Sequence, residues 1–119
     1  MKDEYQSLTV WQKSMSLAKG VYEVTSLLPK EEKYGLSDQI RRAAVSVPSN
    51  IAEGSRRGSK KEFAQFLKIA HGSLAETETQ LILISEIYPN IKVSNLLSIS
   101  NEVGRMIYAL IMKLEKITS

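Results

Sequence analysis

The residues able to do chemistry in this chain of 119 residues are few, and they exclude more than they offer. His71 is the sole histidine. A di-iron site in a helical bundle needs two Glu-x-x-His motifs, and residue 68 is lysine, so that chemistry is ruled out. A serine–histidine triad would have to run through His71, and no nucleophile elbow accompanies it. Glu76 and Glu78 stand two apart, which on a helix turns their carboxylates away from each other. There is no phosphate-cradling glycine loop. With no cysteine, disulfides, thiolate metal sites and cysteine nucleophiles are excluded, and a reducing compartment is expected. The expectation is a protein that is not an enzyme and uses no cofactor or metal, with His71 as a surface or seam residue.

What remains is basic. Arg56 and Arg57 with Lys60 and Lys61 form the densest cluster. From Pro29 to Glu62 there are eight basic and five acidic residues, an excess of +3 that equals the whole net charge. In an up-down bundle this cluster sits at one end, where Lys113 and Lys116 should join it. It is the best candidate surface for nucleic acid; the alternative is a solvated turn. Arg41 and Arg42 could grip phosphate, but an ion pair between Arg42 and Glu76, across helices or across subunits, is the favoured reading. Glu53 and Arg57 have i,i+4 spacing, which stabilises a helix by about 0.2–0.5 kcal/mol. Asn50 and Glu53 share one helical face just after Pro48 and are expected to satisfy backbone groups that the proline leaves unpaired. Tyr5 and Trp11 could stack on bases, although packing is the commoner role; Tyr34 reads as a loop anchor.

The elements that must position these residues are helices. Prolines and glycines divide the chain into four apolar-periodic segments, and none alternates with period two. The first, residues 9–28, carries Val10, Leu17, Val21, Val24 and Leu28 on one face, with Thr9 as N-cap and Pro29 beyond its end. The second, 36–57, carries Leu36, Ile40, Ala43, Ala44, Val47, Ile51 and Gly54, with a kink or short break expected at Pro48 and a left-handed cap at Gly58. The third, 59–88, opens on the capping box Ser59-Lys60-Lys61-Glu62. Its stripe is Phe63, Phe66, Leu67, Ala70, Leu74, Thr77, Leu81, Ile84 and Ile87. The fourth, 94–118, carries Leu96, Ile99, Val103, Met106, Ile107, Leu110, Leu114 and Ile117.

Four such helices with short connections predict one all-α domain over residues 1–119, an antiparallel up-down four-helix bundle. Ile69, Leu83 and Tyr88, and Leu97, Ile111 and Met112, fall outside the main seams. They read either as a wide core face or as a second face that buries against another subunit. The start of the chain lacks a signal-peptide pattern and no apolar run reaches membrane length, so a cytoplasmic protein without a membrane partner is expected.

The middle of the chain resembles a known family. Tyr34-Gly35-Leu36, Gln39-Ile40-Arg41-Arg42-Ala43-Ala44, Ser46, Pro48 and Asn50-Ile51-Ala52-Glu53-Gly54 match the small four-helix proteins encoded within intervening sequences of bacterial 23S ribosomal RNA genes. Val10-Trp11-Gln12-Lys13, Met15, Phe66-Leu67, Ile69-Ala70, Gly72-Ser73, Glu76 and Thr79-Gln80-Leu81 fit the same pattern. The match spans about Leu8 to Tyr88 and continues more loosely through Arg105-Met106 and Leu110-Ile111. His71 stands where arginine is frequent, and Thr77 where leucine is expected. The resemblance implies a bundle assembling as a homopentameric ring. The chain is also similar to the accessory variability determinant proteins of diversity-generating retroelements, which implies a reverse transcriptase and nucleic acid as partners. The function expected is oligomeric binding of RNA, such as ribosomal RNA, or DNA through basic bundle ends; the alternative is a protein scaffold with no nucleic-acid role.

Overall fold

The computed structural model describes residues 4–118, with side chains through Lys116. Met1 to Asp3 and the side chain of Ile117, which figure in the N-terminal reading and the last stripe, lie outside the described residues. Four helices account for nearly all of it: α1 (Thr9–Thr25), α2 (Leu36–Arg56), α3 (Lys60–Ile87) and α4 (Ser94–Thr118). Single 3-10 turns stand at Glu4–Ser7 and Lys30–Glu32, and there is no strand among the described residues. Each helix packs on its neighbours in sequence, and α1 also packs on α4. The molecule is 46 × 28 × 21 Å. The long dimension is close to that of α3, whose 28 residues span about 42 Å at 1.5 Å each.

One core serves all four helices. Leu17, Ile40, Ile51, Leu67, Leu81, Ile84 and Ile107 are fully buried within it. In α3 the buried line is Ala64, Leu67, Ala70, Leu74, Thr77, Leu81 and Ile84. The expected Phe63 and Phe66 sit only half in, against α2, and Ile87 is 52% exposed. Thr77 is fully buried without penalty, because its hydroxyl donates to the Ser73 carbonyl at 2.9 Å. Ile111, expected outside the seam of α4, belongs to the core; Leu97 packs at its edge.

Helix ends follow local rules, with corrections. The N-cap of α1 is Leu8, not Thr9, and no side chain caps it. Its last turn ends at Thr25, three residues short of the expected limit. There Ser26 and Leu27 close onto the Tyr22 and Val24 carbonyls before Pro29 is reached. Gly58 has φ +87°, the left-handed conformation only glycine adopts freely, and it turns the chain from α2 into α3. Ser59 then accepts from the Glu62 amide at 3.1 Å and donates to its carboxylate at 3.2 Å.

α2 runs as one continuous helix through Pro48, so of the expected kink or short break the break does not occur. The ring is buried towards α1, beside Trp11 and Met15. By the i→i−4 rule the proline frees the Ala44 carbonyl. Asn50 does not serve it. Its amide donates to the Ser46 carbonyl at 2.8 Å and the Ser46 hydroxyl at 2.9 Å, one turn back on its own face. Glu53 is bound to Arg57 instead.

Tyr34 is corrected too: it is 86% exposed, with the Lys33 ammonium 5.3 Å from its ring, and anchors nothing. The link between that loop and the bundle is Tyr88, whose hydroxyl donates to Glu32 at 2.6 Å. This bond, with the Glu32 charge, raises the phenol pKa above its ordinary value. Folding therefore gains from the neutral phenol. The gain is whole below about pH 10 and fades as pH climbs through the raised value. The melting-temperature difference between wild type and Tyr88→Phe should shrink above about pH 10. A difference that stays constant with pH would show that the bond contributes nothing.

Candidate nucleic-acid interface

Gly58 and the Ser59 cap bring Arg56, Arg57, Lys60 and Lys61 together at one end of the molecule. All four are exposed. The end of α4 runs towards this turn and stops short of it: Lys68, two turns into α3, pairs with Glu115 at 2.7 Å, and Lys113 and Lys116 are exposed on those last turns. The Glu4–Ser7 turn closes the same end, with Tyr5 under the Arg56 guanidinium at 5.6 Å. Arg56, Arg57, Lys60 and Lys61 are thus gathered at one turn, while Lys113 and Lys116 stand on α4 about two turns of α3 away from it.

The residues differ in what already holds them. Arg57 donates to Glu53 at 2.8 Å, lies 3.9 Å from Glu62 and stacks on Phe66 at 5.0 Å. The hydrogen bond it donates to Glu53, with the charges of Glu53 and Glu62, raises the Arg57 pKa despite an opposing desolvation effect. A phosphate would have to compete with both carboxylates for it. Lys60 and Lys61, in the first turn of α3, engage no described residue. They stand at the positive end of that helix dipole, which adds to an anion-attracting field.

The second group of expected residues scatters. Arg42 pairs with Asp38 at 3.1 Å, one turn back on its own helix, and both are solvent-facing. No intrachain bond joins it to Glu76, which is exposed on α3. Arg41 instead donates to the Thr25 hydroxyl at 2.7 Å and stacks on Tyr22 at 4.6 Å, tying α2 to α1. Tyr5 and Trp11 meet edge to face at 5.3 Å and are half-buried, which answers their packing reading.

Sequence reasoning missed a groove. Tyr5, Trp11, Met15, Tyr22, Val45 and Pro48 line an open apolar trough of about 530 Å³ between α1 and α2. Its signal was there in Val45 and Tyr22, apolar residues off the stripes of their helices. On α3, Ile69 is 53% exposed and Leu83 43% exposed. These two lie outside the seam as expected, and they belong to no core of this chain.

An all-helical protein with four helices on one core and a basic end is the class these features define. The chain belongs to the 23S rRNA-intervening sequence protein family, whose model matches residues 6–109. Its fold is similar to the crystal structure of a protein of unknown function from the S23 ribosomal protein family of Bacteroides thetaiotaomicron VPI-5482. The TM-score is 0.77 at 25% identity, covering 87% of this chain and 98% of that one. No curated protein matches the chain. No helix among the described residues is long and apolar enough to cross a membrane.

Proposed function

We propose that this chain is a non-enzymatic, oligomeric nucleic-acid-binding protein of the cytoplasm. In this reading it is a homopentameric ring of antiparallel up-down bundles whose basic ends take structured RNA, such as ribosomal RNA, or DNA. The observation that carries the reading is the exposed cluster of Arg56, Arg57, Lys60 and Lys61 at the α2–α3 turn, towards which the last turns of α4 run. The up-down course is supported by contacts whose residue numbers fall along one helix as they rise along its neighbour: Ser46 with Ser73 and Arg57 with Glu62, Lys68 with Glu115 and Leu74 with Gly104, and Lys13 with Glu102 and Gly20 with Leu96. Self-association is supported by the α1–α2 trough and by Ile69 and Leu83, apolar surface that a partner would cover. A ring repeats one modest patch around an axis, and in this reading the Arg42–Glu76 pair, not formed within the chain, forms between copies.

Binding by such a surface is driven by counterion release and falls steeply with salt. A gel-shift titration of a structured RNA between about 50 and 200 mM salt should lose affinity by at least tenfold. A flat response, or no shift at low salt, would end the proposal. Light scattering on the same sample reads the subunit number, and a monomer would remove the repeated patch. The second reading, a scaffold for a protein such as a reverse transcriptase, is favoured by the same apolar trough. It predicts protein capture that survives high salt.

A further inference from the structure

A second cleft, of about 530 Å³, lies between α3 and α4, on a different side from the apolar trough. It exists because the residues along that seam are small: Ala75 faces Ser100 and Gly104, where larger side chains would close the helices' flanks. The added Cβ of an alanine at 104 would stand 3.3 Å from Leu74, so the floor is tight as well as narrow. The rim is polar. Asn101, Arg105 and Tyr108 recur at four- and three-residue steps, which sets them on one face of α4. His71 and Glu78 face them from α3.

Two observations separate this cleft from an ordinary groove between helices. None of the five rim side chains is engaged in a hydrogen bond, ion pair or ring contact with a described residue, whereas Lys13, Arg41, Arg42, Arg57 and Lys68 all are. At the floor, Ser100 is fully buried and its hydroxyl has no partner. A buried unsatisfied hydroxyl costs free energy that a ligand or a bound water recovers.

We propose that this cleft binds one nucleotide. The exposed face of Tyr108 offers the stacking surface that an unpaired base takes. The Arg105 guanidinium, a planar fork, suits a phosphate, and the His71 imidazole is a second donor on the same rim. Glu78 accepts and Asn101 both donates and accepts, the complement needed for ribose hydroxyls or a base edge. The apolar floor of Leu74, Ala75 and Gly104 fits a flat ring, and the volume is within the range of small-molecule sites. Along α4 the rim runs seven residues, about 10 Å at 1.5 Å each, enough for a ring and its phosphate. The site is separate from the basic end and stands whether or not that end binds a strand.

The test is an amide-resolved NMR titration of the full chain with adenosine 5′-monophosphate. Saturable shifts at His71, Ser100, Asn101, Arg105 and Tyr108 are expected. No saturable shift up to about 10 mM, an affinity too weak to matter at cellular nucleotide levels, would overturn the assignment, as would shifts confined to residues 56–61. Arg105→Ala and Tyr108→Ala should each weaken binding about tenfold, while Tyr108→Phe keeps the stacking face and stays within about twofold. These side chains are exposed, so the variants should fold; if one does not, Asn101→Ala takes its place. Unchanged binding in the folded variants would refute the site. Inorganic phosphate or adenosine alone binding as tightly as the nucleotide would refute the nucleotide assignment. Lys60→Ala with Lys61→Ala should leave the titration unchanged, which separates this result from the fate of the basic-end reading. A short single-stranded oligonucleotide shifting the same amides identifies the occupant as part of a strand; silence there, with the mononucleotide bound, identifies a free nucleotide.

Discussion

Gly54→Val should destabilise the fold by about 3 kcal/mol, while Gly72→Ala, on the partner helix of the same hairpin, should stabilise it by about 1 kcal/mol. Gly54 is buried against α3. A Cβ there would stand 2.6 Å from the Phe66 Cβ and 3.1 Å from the Phe63 ring, with the Phe63 carbonyl at 3.4 Å. The first of these atoms is fixed to the backbone and cannot swing aside, so the helices themselves must part. Even alanine meets this contact, and its helix-propensity gain of about 1 kcal/mol is offset by the overpacking. Valine adds two further carbons and a stiff χ1, so nothing in its favour remains. At Gly72 a Cβ meets nothing within 4 Å, and the residue is exposed in mid-helix. There only the entropy argument acts, and alanine gains. Chemical denaturation with the midpoint and slope fitted separately checks the pair. Shifts of the same sign at both positions would mean that α2 and α3 do not approach as described.

That contrast also marks how far the sequence could be read. Helix number, type and approximate limits were legible because apolar residues recur in threes and fours over four segments, and because Ser59-Lys60-Lys61-Glu62 and Gly58 carry their mechanism in their residue types. Gly54 was legible as a stripe member, but its need for two hydrogens was not, since that depends on which turn of α3 it meets. The same is true of Phe63 and Phe66: their size suggested the core, and the contact with α2 leaves them half-covered. Ile111 was misplaced because α4 faces two helices at once, which widens its buried face beyond one stripe. Arg42 has Asp38 one turn away, and a local partner of known spacing prevailed over a distant one inferred from a hairpin. The basic end was readable from charge alone. The α3–α4 cleft was not, because Ala75, Ser100 and Gly104 are unremarkable helix residues until their registers coincide.

Replacing Arg56, Lys60 and Lys61 together by alanine should cost roughly a hundred- to a thousandfold in RNA affinity at about 0.1 M salt and flatten the salt dependence by two to three. Each cation that displaces a counterion contributes slightly under one power of salt concentration, and these three stand exposed on one turn of chain. Arg57 serves as the internal control. Two carboxylates and the Phe66 ring hold it, so Arg57→Ala should lower stability, yet change the salt slope by less than one. A ring sharpens the test. If several subunits present their ends to one RNA, the triple substitution removes the same contacts from each, and the slope falls by a multiple of the single-chain value. Its change divided by the single-chain value of about two to three then counts the subunits touching the strand. A triple variant with wild-type affinity and slope would leave the basic end to solvent and return the chain's apolar trough to the scaffold reading.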